Sequence, residues 1–130
     1  MKEKYNTIIN LFEGKKIRSI WDKDKEDYYF SVVDVISALT DSNDPAHYWR
    51  TLKSRMLQEG NETVTNCDTF KLKAKNGKMR NTDMLDTEGI FRLIESVPSP
   101  KAEPFKQPEI NMRVLLKKQL YQVKEEIIVK

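Results

Sequence analysis

The sequence has few of the residues on which catalytic and metal sites depend. It contains one cysteine, one histidine and four glycines among its 130 residues. Cys67 can form no intrachain disulfide and has no second thiol for a CxxC metal or redox pair. A zinc site or a Ser-His-Asp triad would depend on His47 alone. Since no glycine-rich phosphate loop, HExxH motif or nucleophile motif occurs either, we expect a binding protein without a cofactor rather than an enzyme.

Long apolar runs are also missing. No stretch approaches the roughly 18 apolar residues of a transmembrane helix, and residues 1–14 lack the apolar core and cleavage site of a signal peptide. Hydrophobic residues make up 38% of the chain and charged residues 33%, which suits a globular protein. The sequence therefore predicts one cytoplasmic domain that does not contact membranes.

The formal net charge of +3 is small, but it is unevenly distributed along the chain. Residues 22–44 carry seven acids and two lysines, a net charge of −5, whereas residues 50–80 carry eight basic residues and three acids, a net charge of +5. A basic region on a nearly balanced protein favours a polyanion partner. The alternative is a solvated, lysine-rich surface that resists aggregation.

The stretch "KLKAKNGKMR", residues 71–80, predicts a β-hairpin, because Asn76-Gly77 is the pair that a two-residue type I′ turn selects. Counting outward from that turn places Lys75 opposite Lys78 and Lys73 opposite Arg80. Like charges that lie directly opposite each other destabilise a strand pair, so a ladder of cations on one face predicts an anionic partner. The predicted DNA-binding residues of this ladder are Lys71, Lys73, Lys75, Lys78 and Arg80.

The other face of the predicted ribbon is apolar and would pack on the core. It would carry Phe70, Leu72, Ala74 and Met79. Upstream of the ribbon, alternating apolar residues predict two further strands, over 15–22 and 27–31, joined by a polar turn. These two pairs of strands would form two hairpins.

Helical spacing predicts two short helices after the first hairpin. The first covers 32–39, where Ser31 and Asp34 form an S-x-x-D capping signal. The second covers 45–57, because Asp44-Pro45 is a typical N-cap followed by a first-turn proline.

The two helices and their polar turn together have the size of a helix-turn-helix unit. The second helix would turn Arg50 and Lys53 away from its apolar stripe, so both are added to the predicted DNA-binding residues. Simple packing within the domain is the alternative explanation for this helix pair.

Other segments give weaker signals. Residues 1–14 are expected to be helical, and Thr63 to Asn66 to form a short strand. A helix over 86–97 would begin at Asp86 or Thr87. Acids are favoured at a helix start, which explains Asp83, Asp86 and Glu88 better than the alternative of a nuclease-like site that requires Mg²⁺.

These elements predict an α+β fold: a small mixed domain with two β-hairpins packed on short helices, followed by a C-terminal helix. The expected organisation is an N-terminal segment (1–14), a domain (15–106) and a helical tail (107–130).

Two segments resemble the Bro-N domain, the N-terminal domain of BRO proteins and of many phage antirepressors. They are "FSVVDVISALTDSNDPAHYWRTLKSR" and "TDMLDTEGIFRLIESVPSPKAEPFK", and the resemblance spans residues 15–106. It implies an α+β domain that binds double-stranded DNA and regulates transcription in viruses, prophages or mobile elements. It implies no catalytic residues. The chain departs from the family after Lys106, where Gln107-Pro108 interrupts the helix.

Two hypotheses from different classes therefore remain. In the first, the protein is a double-stranded DNA-binding regulator. In the second, it is a protein-interaction module that binds a repressor without touching DNA. A homodimer, in which the tail packs on a second copy of the chain, is a separate expectation. The adhesive face of that module would be the apolar stripe of the tail, formed by Leu116, Leu120, Val123 and Ile127.

Overall fold

A computed structural model describes residues 5–12, 15–65 and 67–103. Within them the strands are β1 (Tyr5–Phe12), β2 (Lys15–Asp22), β3 (Asp27–Ser31), β4 (Asp68–Lys73) and β5 (Met79–Asp86). The helices are α1 (Val32–Thr40), α2 (Pro45–Gln58), α3 (Glu62–Thr65) and α4 (Thr87–Glu95). All strand pairs are antiparallel and form one sheet in the order β1-β2-β3-β5-β4. The predicted α+β class is confirmed; the C-terminal helix expected over 107–130 lies outside the described residues.

The longer helices begin where capping residues satisfy their first amides. The Ser31 hydroxyl accepts a hydrogen bond from the Asp34 amide at 3.3 Å, and the Asp44 carboxylate accepts one from the His47 amide at 3.1 Å. At the start of α4, the Asp86 carboxylate accepts from the Gly89 amide at 2.8 Å. Each cap provides an acceptor for an amide that has no partner within its own helix. The predicted starts of α1 and α2 are confirmed, and Asp86 is the cap of α4.

Helices α1 and α4 pack on one face of the sheet and α2 packs on α1, and together they form the main core. The buried stripe of α2 consists of Trp49, Leu52 and Met56, as its spacing predicts. Because side chains alternate along a strand, the opposite face carries different residues. It holds a second, smaller cluster formed by Ile20, Tyr29, Leu72 and Met84.

Two predictions of local structure are wrong. The strand expected at Thr63 to Asn66 is replaced by the single helical turn α3, in which Val64 is 4% exposed and packs into the main core. The helix expected over 1–14 is replaced over residues 5–12 by the strand β1, which pairs along its whole length with β2. In both cases packing against neighbouring elements outweighs a weak local preference. None of the helices among the described residues is long and apolar enough to cross a bilayer.

Candidate nucleic-acid interface

The hairpin of β4 and β5 has a register one residue away from the predicted one. Lys73 pairs with Met79, and Leu72 pairs with Arg80, whereas the type I′ prediction pairs Lys73 with Arg80. Met79, which was expected against the core, is 61% exposed. The predicted register is therefore wrong.

The register differs from the predicted one because the turn contains three residues instead of two. The Ala74 amide donates to the Lys78 carbonyl at 2.8 Å, and the Gly77 amide donates to the Ala74 carbonyl at 2.9 Å. Gly77 has a φ of 84°, in the left-handed region that glycine adopts at little cost. This is the three-residue loop in which a type I turn is followed by a glycine bulge. Asn-Gly fits this loop as well as the type I′ turn, so the dipeptide alone could not select the register.

The corrected register divides the basic residues between two faces of the ribbon. Lys71 and Lys73 lie on one face, and Arg80 lies on the other. Lys78 is opposite Ala74 and so lies on the same face as Arg80, while Lys75 is in the turn. The predicted ladder of five cations on one face is therefore wrong, and the ribbon is basic on both faces and at its tip.

All five cations of the ribbon are exposed. Within the part of the chain that the structure describes, none of them forms an ion pair. Residues 71–80 also contain no acid, so no side chain within this stretch neutralises the charge. Such a surface attracts polyanions by an electrostatic interaction that salt screens.

The two basic residues predicted on α2 have different surroundings. Arg50 is exposed and forms no ion pair among the described residues. Lys53 is half-buried: its Nζ lies 3.1 Å from Asp83 Oδ2 and 5.8 Å from the centre of the Trp49 ring. Arg50 can therefore reach an external partner, while Lys53 already binds within the domain.

Asp83 on β5 joins α2 to the ribbon. Trp49 Nε1 donates to Asp83 Oδ2 at 2.8 Å, and Thr69 Oγ1 donates to Asp83 Oδ1 at 3.2 Å. Burial by itself raises the pKa of Asp83, but the hydrogen bonds from Trp49 and Lys53 outweigh it and hold the pKa below its usual value. We name Asp83, Trp49, Lys53 and Thr69 the Asp83 network. Since Asp83 and Trp49 are 34 residues apart, no local sequence pattern indicated their contact.

The acids near the start of α4 have structural contacts instead of forming a cluster. Asp86 caps the helix, Asp83 belongs to its network, and a Glu88 carboxylate oxygen lies 4.0 Å from an Arg92 nitrogen. The described residues contain no group of three or more His, Cys, Asp or Glu that could hold a metal ion. Capping therefore explains Asp86, as expected, whereas Asp83 has a different role.

Cys67 is a free, partly buried thiol that precedes β4. Burial, and secondarily the charge of Asp83, raise its pKa to about 11. A thiol with that pKa is protonated at neutral pH and is a poor nucleophile.

Comparisons with known proteins identify one family. The model of the BRO family, N-terminal domain (Bro-N), matches residues 16–112. No curated protein and no solved structure matches the chain. The matched range includes both hairpins, the α1–α2 pair and α4, and therefore the whole candidate interface.

Proposed function

The chain belongs to the BRO family N-terminal domain, Bro-N, and on that premise we propose that it is a double-stranded DNA-binding regulator of phage or mobile-element type. Bro-N is a family of DNA-binding regulatory domains. The observation that carries the proposal for this chain is the turn end of the β4–β5 ribbon, where residues 71–80 contain five exposed cations and no acid.

The ribbon has a shape that the DNA major groove accepts. That groove is about 12 Å wide and admits a two-stranded β-ribbon. With cations on both faces, the ribbon can reach phosphates on both sides of the groove: Lys71 and Lys73 towards one strand, Lys78 and Arg80 towards the other, with Lys75 at the tip. A ladder on a single face would instead suit a ribbon that lies flat on the backbone. The corrected register therefore favours insertion of the ribbon into the major groove.

Helix α2 is the second proposed contact. Its Arg50 is exposed, and the Asp83 network holds the helix against the ribbon. A DNA molecule that contacts the ribbon could therefore also contact Arg50, either at a phosphate or at a base edge. Lys53 would support the interface by positioning α2, because its ammonium group is bound to Asp83.

The test is a fluorescence-anisotropy titration of labelled duplex DNA at several salt concentrations. Five phosphate contacts should make log Kobs fall with log salt at a slope of about −4.5. If no binding is seen even at low salt, the proposal is wrong, and the protein-interaction alternative through Leu116, Leu120, Val123 and Ile127 takes its place. Those four residues lie outside the described part of the chain.

A further inference from the structure

A cleft of about 620 Å³ lies beside the ribbon, where β3 ends. β3 stops at Ser31, which pairs with Met84, but β5 continues beyond that position to Met79. β2 likewise extends past the end of β3, from Ser19 back to Lys15. No β3 residue separates β2 from the ribbon in this region. The cleft there is lined by β2, the end of β4 and its turn, α1 and the start of α2.

The lining of the cleft combines apolar side chains with lysines. Val33, Pro45 and Ala74 contribute apolar surface, whereas Leu72 borders the cleft but is only 4% exposed, because its side chain is buried in the smaller cluster. Three exposed lysines also line it: Lys16, Lys73 and Lys75. None of these three forms an ion pair among the described residues.

The other charged groups of the cleft are already bound to protein. Asp34 Oδ2 accepts from the Arg18 amide at 2.9 Å and from Arg18 Nε at 2.8 Å. Arg18 Nη1 also donates to the Lys73 carbonyl at 3.1 Å, which links β2 to the ribbon across the gap. Asp44 caps α2. Among the described residues, the three lysines and the Asp44 carboxylate are therefore the charges of the cleft that have no ion-pair partner, which leaves a net charge of +2.

We propose that this cleft binds a small phosphate monoester with an aromatic body, such as an aryl phosphate or a mononucleotide. The volume lies within the range of small-molecule sites, which are mostly apolar with a few placed polar groups. Lysine ammonium groups bind phosphate as point charges, whereas the fork of Arg18, which would suit a carboxylate, is occupied by Asp34. The aromatic body would pack on the apolar surface.

Occupation of the cleft should compete with DNA, because Lys73 and Lys75 belong both to the cleft and to the ribbon. This consequence rests on the proposed function; binding to the cleft itself does not. The two can therefore be tested separately, with and without DNA.

The probe is 8-anilinonaphthalene-1-sulfonate, a fluorescent aromatic anion in which sulfonate stands in for phosphate. We expect saturable binding of one probe per chain, displaced by 1-naphthyl phosphate or thymidine monophosphate. Equal concentrations of inorganic phosphate or of neutral 1-naphthol should not displace it, because each lacks one half of the recognised chemistry. If inorganic phosphate displaced the probe as well as 1-naphthyl phosphate does, the proposal would be overturned, since the apolar surface would then contribute nothing to binding.

Single-residue variants test whether the probe binds in the cleft. Ala46→Phe should fill the cleft from its exposed rim and abolish binding, and Lys16→Gln should weaken it by up to about fivefold, the contribution of one exposed ion pair. Lys23→Gln, in the β2–β3 turn and away from the cleft, is the matched control and should bind as wild type does. Unchanged probe affinity in both Ala46→Phe and Lys16→Gln would overturn the proposal; if Ala46→Phe fails to fold, Lys16→Gln decides alone.

A crossed comparison separates the cleft from the DNA contact. Lys16→Gln should weaken the probe and leave DNA affinity unchanged, Lys78→Gln should weaken DNA and leave the probe unchanged, and Lys73→Gln should weaken both. In wild type, 1-naphthyl phosphate should raise the apparent Kd for DNA. If the probe binds in the cleft but DNA does not bind at all, the proposed function fails and the cleft assignment stands.

Discussion

The β2–β3 and β4–β5 hairpins, whose turns lie at opposite ends of the strands, differ in charge. The β2–β3 turn, residues 22–27, contains four acids and two lysines, a net charge of −2, whereas residues 71–80 contain five basic residues and no acid. They point in opposite directions because β3 and β5 are antiparallel: Tyr29, close to the acidic turn, pairs with Asp86, at the end of β5 farthest from the basic turn. The sheet therefore has an acidic end and a basic end.

The two hairpins also differ in what their charges contact. Asp22 is buried, and its Oδ1 accepts from the amides of Asp24 at 3.0 Å and Lys25 at 3.2 Å. Lys25 Nζ donates to the Tyr29 hydroxyl at 2.7 Å. In the basic hairpin, by contrast, all five cations point to solvent. Charges in the first hairpin shape a turn, whereas charges in the second are available to an external partner.

The largest expected effect is on DNA affinity. Replacing Lys73, Lys75, Lys78 and Arg80 with glutamine should weaken binding by about three orders of magnitude near 0.1 M salt and make the salt slope shallower by about 3.6 units, since each lost phosphate contact contributes about 0.9. The control is the Asp24→Asn/Glu26→Gln variant of the acidic hairpin, which should leave affinity within about threefold of wild type, because exposed charges distant from the DNA are screened. Anisotropy titrations measure both. A large gain of affinity in the control would show that net charge, rather than its position, governs binding.

Asp83 attaches the basic hairpin to α2, and substitution of Asp83 should weaken this attachment. Asp83→Asn should lower the free energy of unfolding by about 1–2 kcal/mol, less than a fully buried charged hydrogen bond is worth, because the Asp83 side chain is 26% exposed. Its folded pKa is depressed, so its stabilising contribution is present at neutral pH and is lost as the pH falls below about 4. Urea melts at pH 7 and pH 3 measure the difference. Equal destabilisation at both pH values would show that the charge of Asp83 is not responsible.

A smaller effect on DNA affinity tests whether the DNA-binding surface extends from the basic hairpin onto α2. Arg50→Ala should weaken DNA binding by about tenfold near 0.1 M salt and reduce the salt slope by about one unit if Arg50 contacts a phosphate. A loss confined to some DNA sequences would instead indicate a base contact. Lys53→Ala is the comparison variant, which should lower the unfolding midpoint because Lys53 is paired with Asp83. An unaltered slope in Arg50→Ala would restrict the interface to the ribbon.

The smallest expected effects are on the stability of the protein, from substitutions in the turns of the two hairpins. Each contains a residue with positive φ: Gly77 at 84° in the basic turn and Glu26 at 50° in the acidic one. A Cβ on Gly77 would meet no atom within 4 Å, so Gly77→Ala should cost about 1 kcal/mol from backbone strain alone. Glu26→Gly should change stability by less than about 0.5 kcal/mol, because relief of strain is offset by the greater freedom of glycine in the unfolded chain. Thermal melts test both, and a stable Gly77→Ala variant would argue against the three-residue turn.

Much of the fold could be predicted because its signals are local. Ser31, Asp44 and Asp86 cap helices whose starts were predicted within one residue, since a capping side chain reaches an amide only two or three positions away. The strands β2 and β3 follow the alternation of their side chains. The exposure of the ribbon cations also followed from their chemistry, although their DNA contacts remain a proposal.

Contacts that are distant in sequence could not be predicted. The partnership of Asp83 with Trp49 requires a side chain of α2 to reach β5, and the cleft requires β3 to end before its neighbours. α3 forms a helical turn that buries Val64, although its threonines favour a strand. These features depend on how elements pack on one another, which no short window of sequence contains.

The α+β class, the capped helices, the family and the presence of a basic hairpin could all be inferred from local sequence. The face of that hairpin on which each cation lies depends instead on how the strands pack. In the predicted register Leu72 and Met84 would lie on opposite faces, whereas the observed register places both on one face, where they are buried with Tyr29. The turn contains one residue more than predicted, with Gly77 at positive φ, and this turn gives the observed register. A shift of one residue turns every side chain of a strand to its other face, so burial of two apolar side chains outweighs the local preference of a turn.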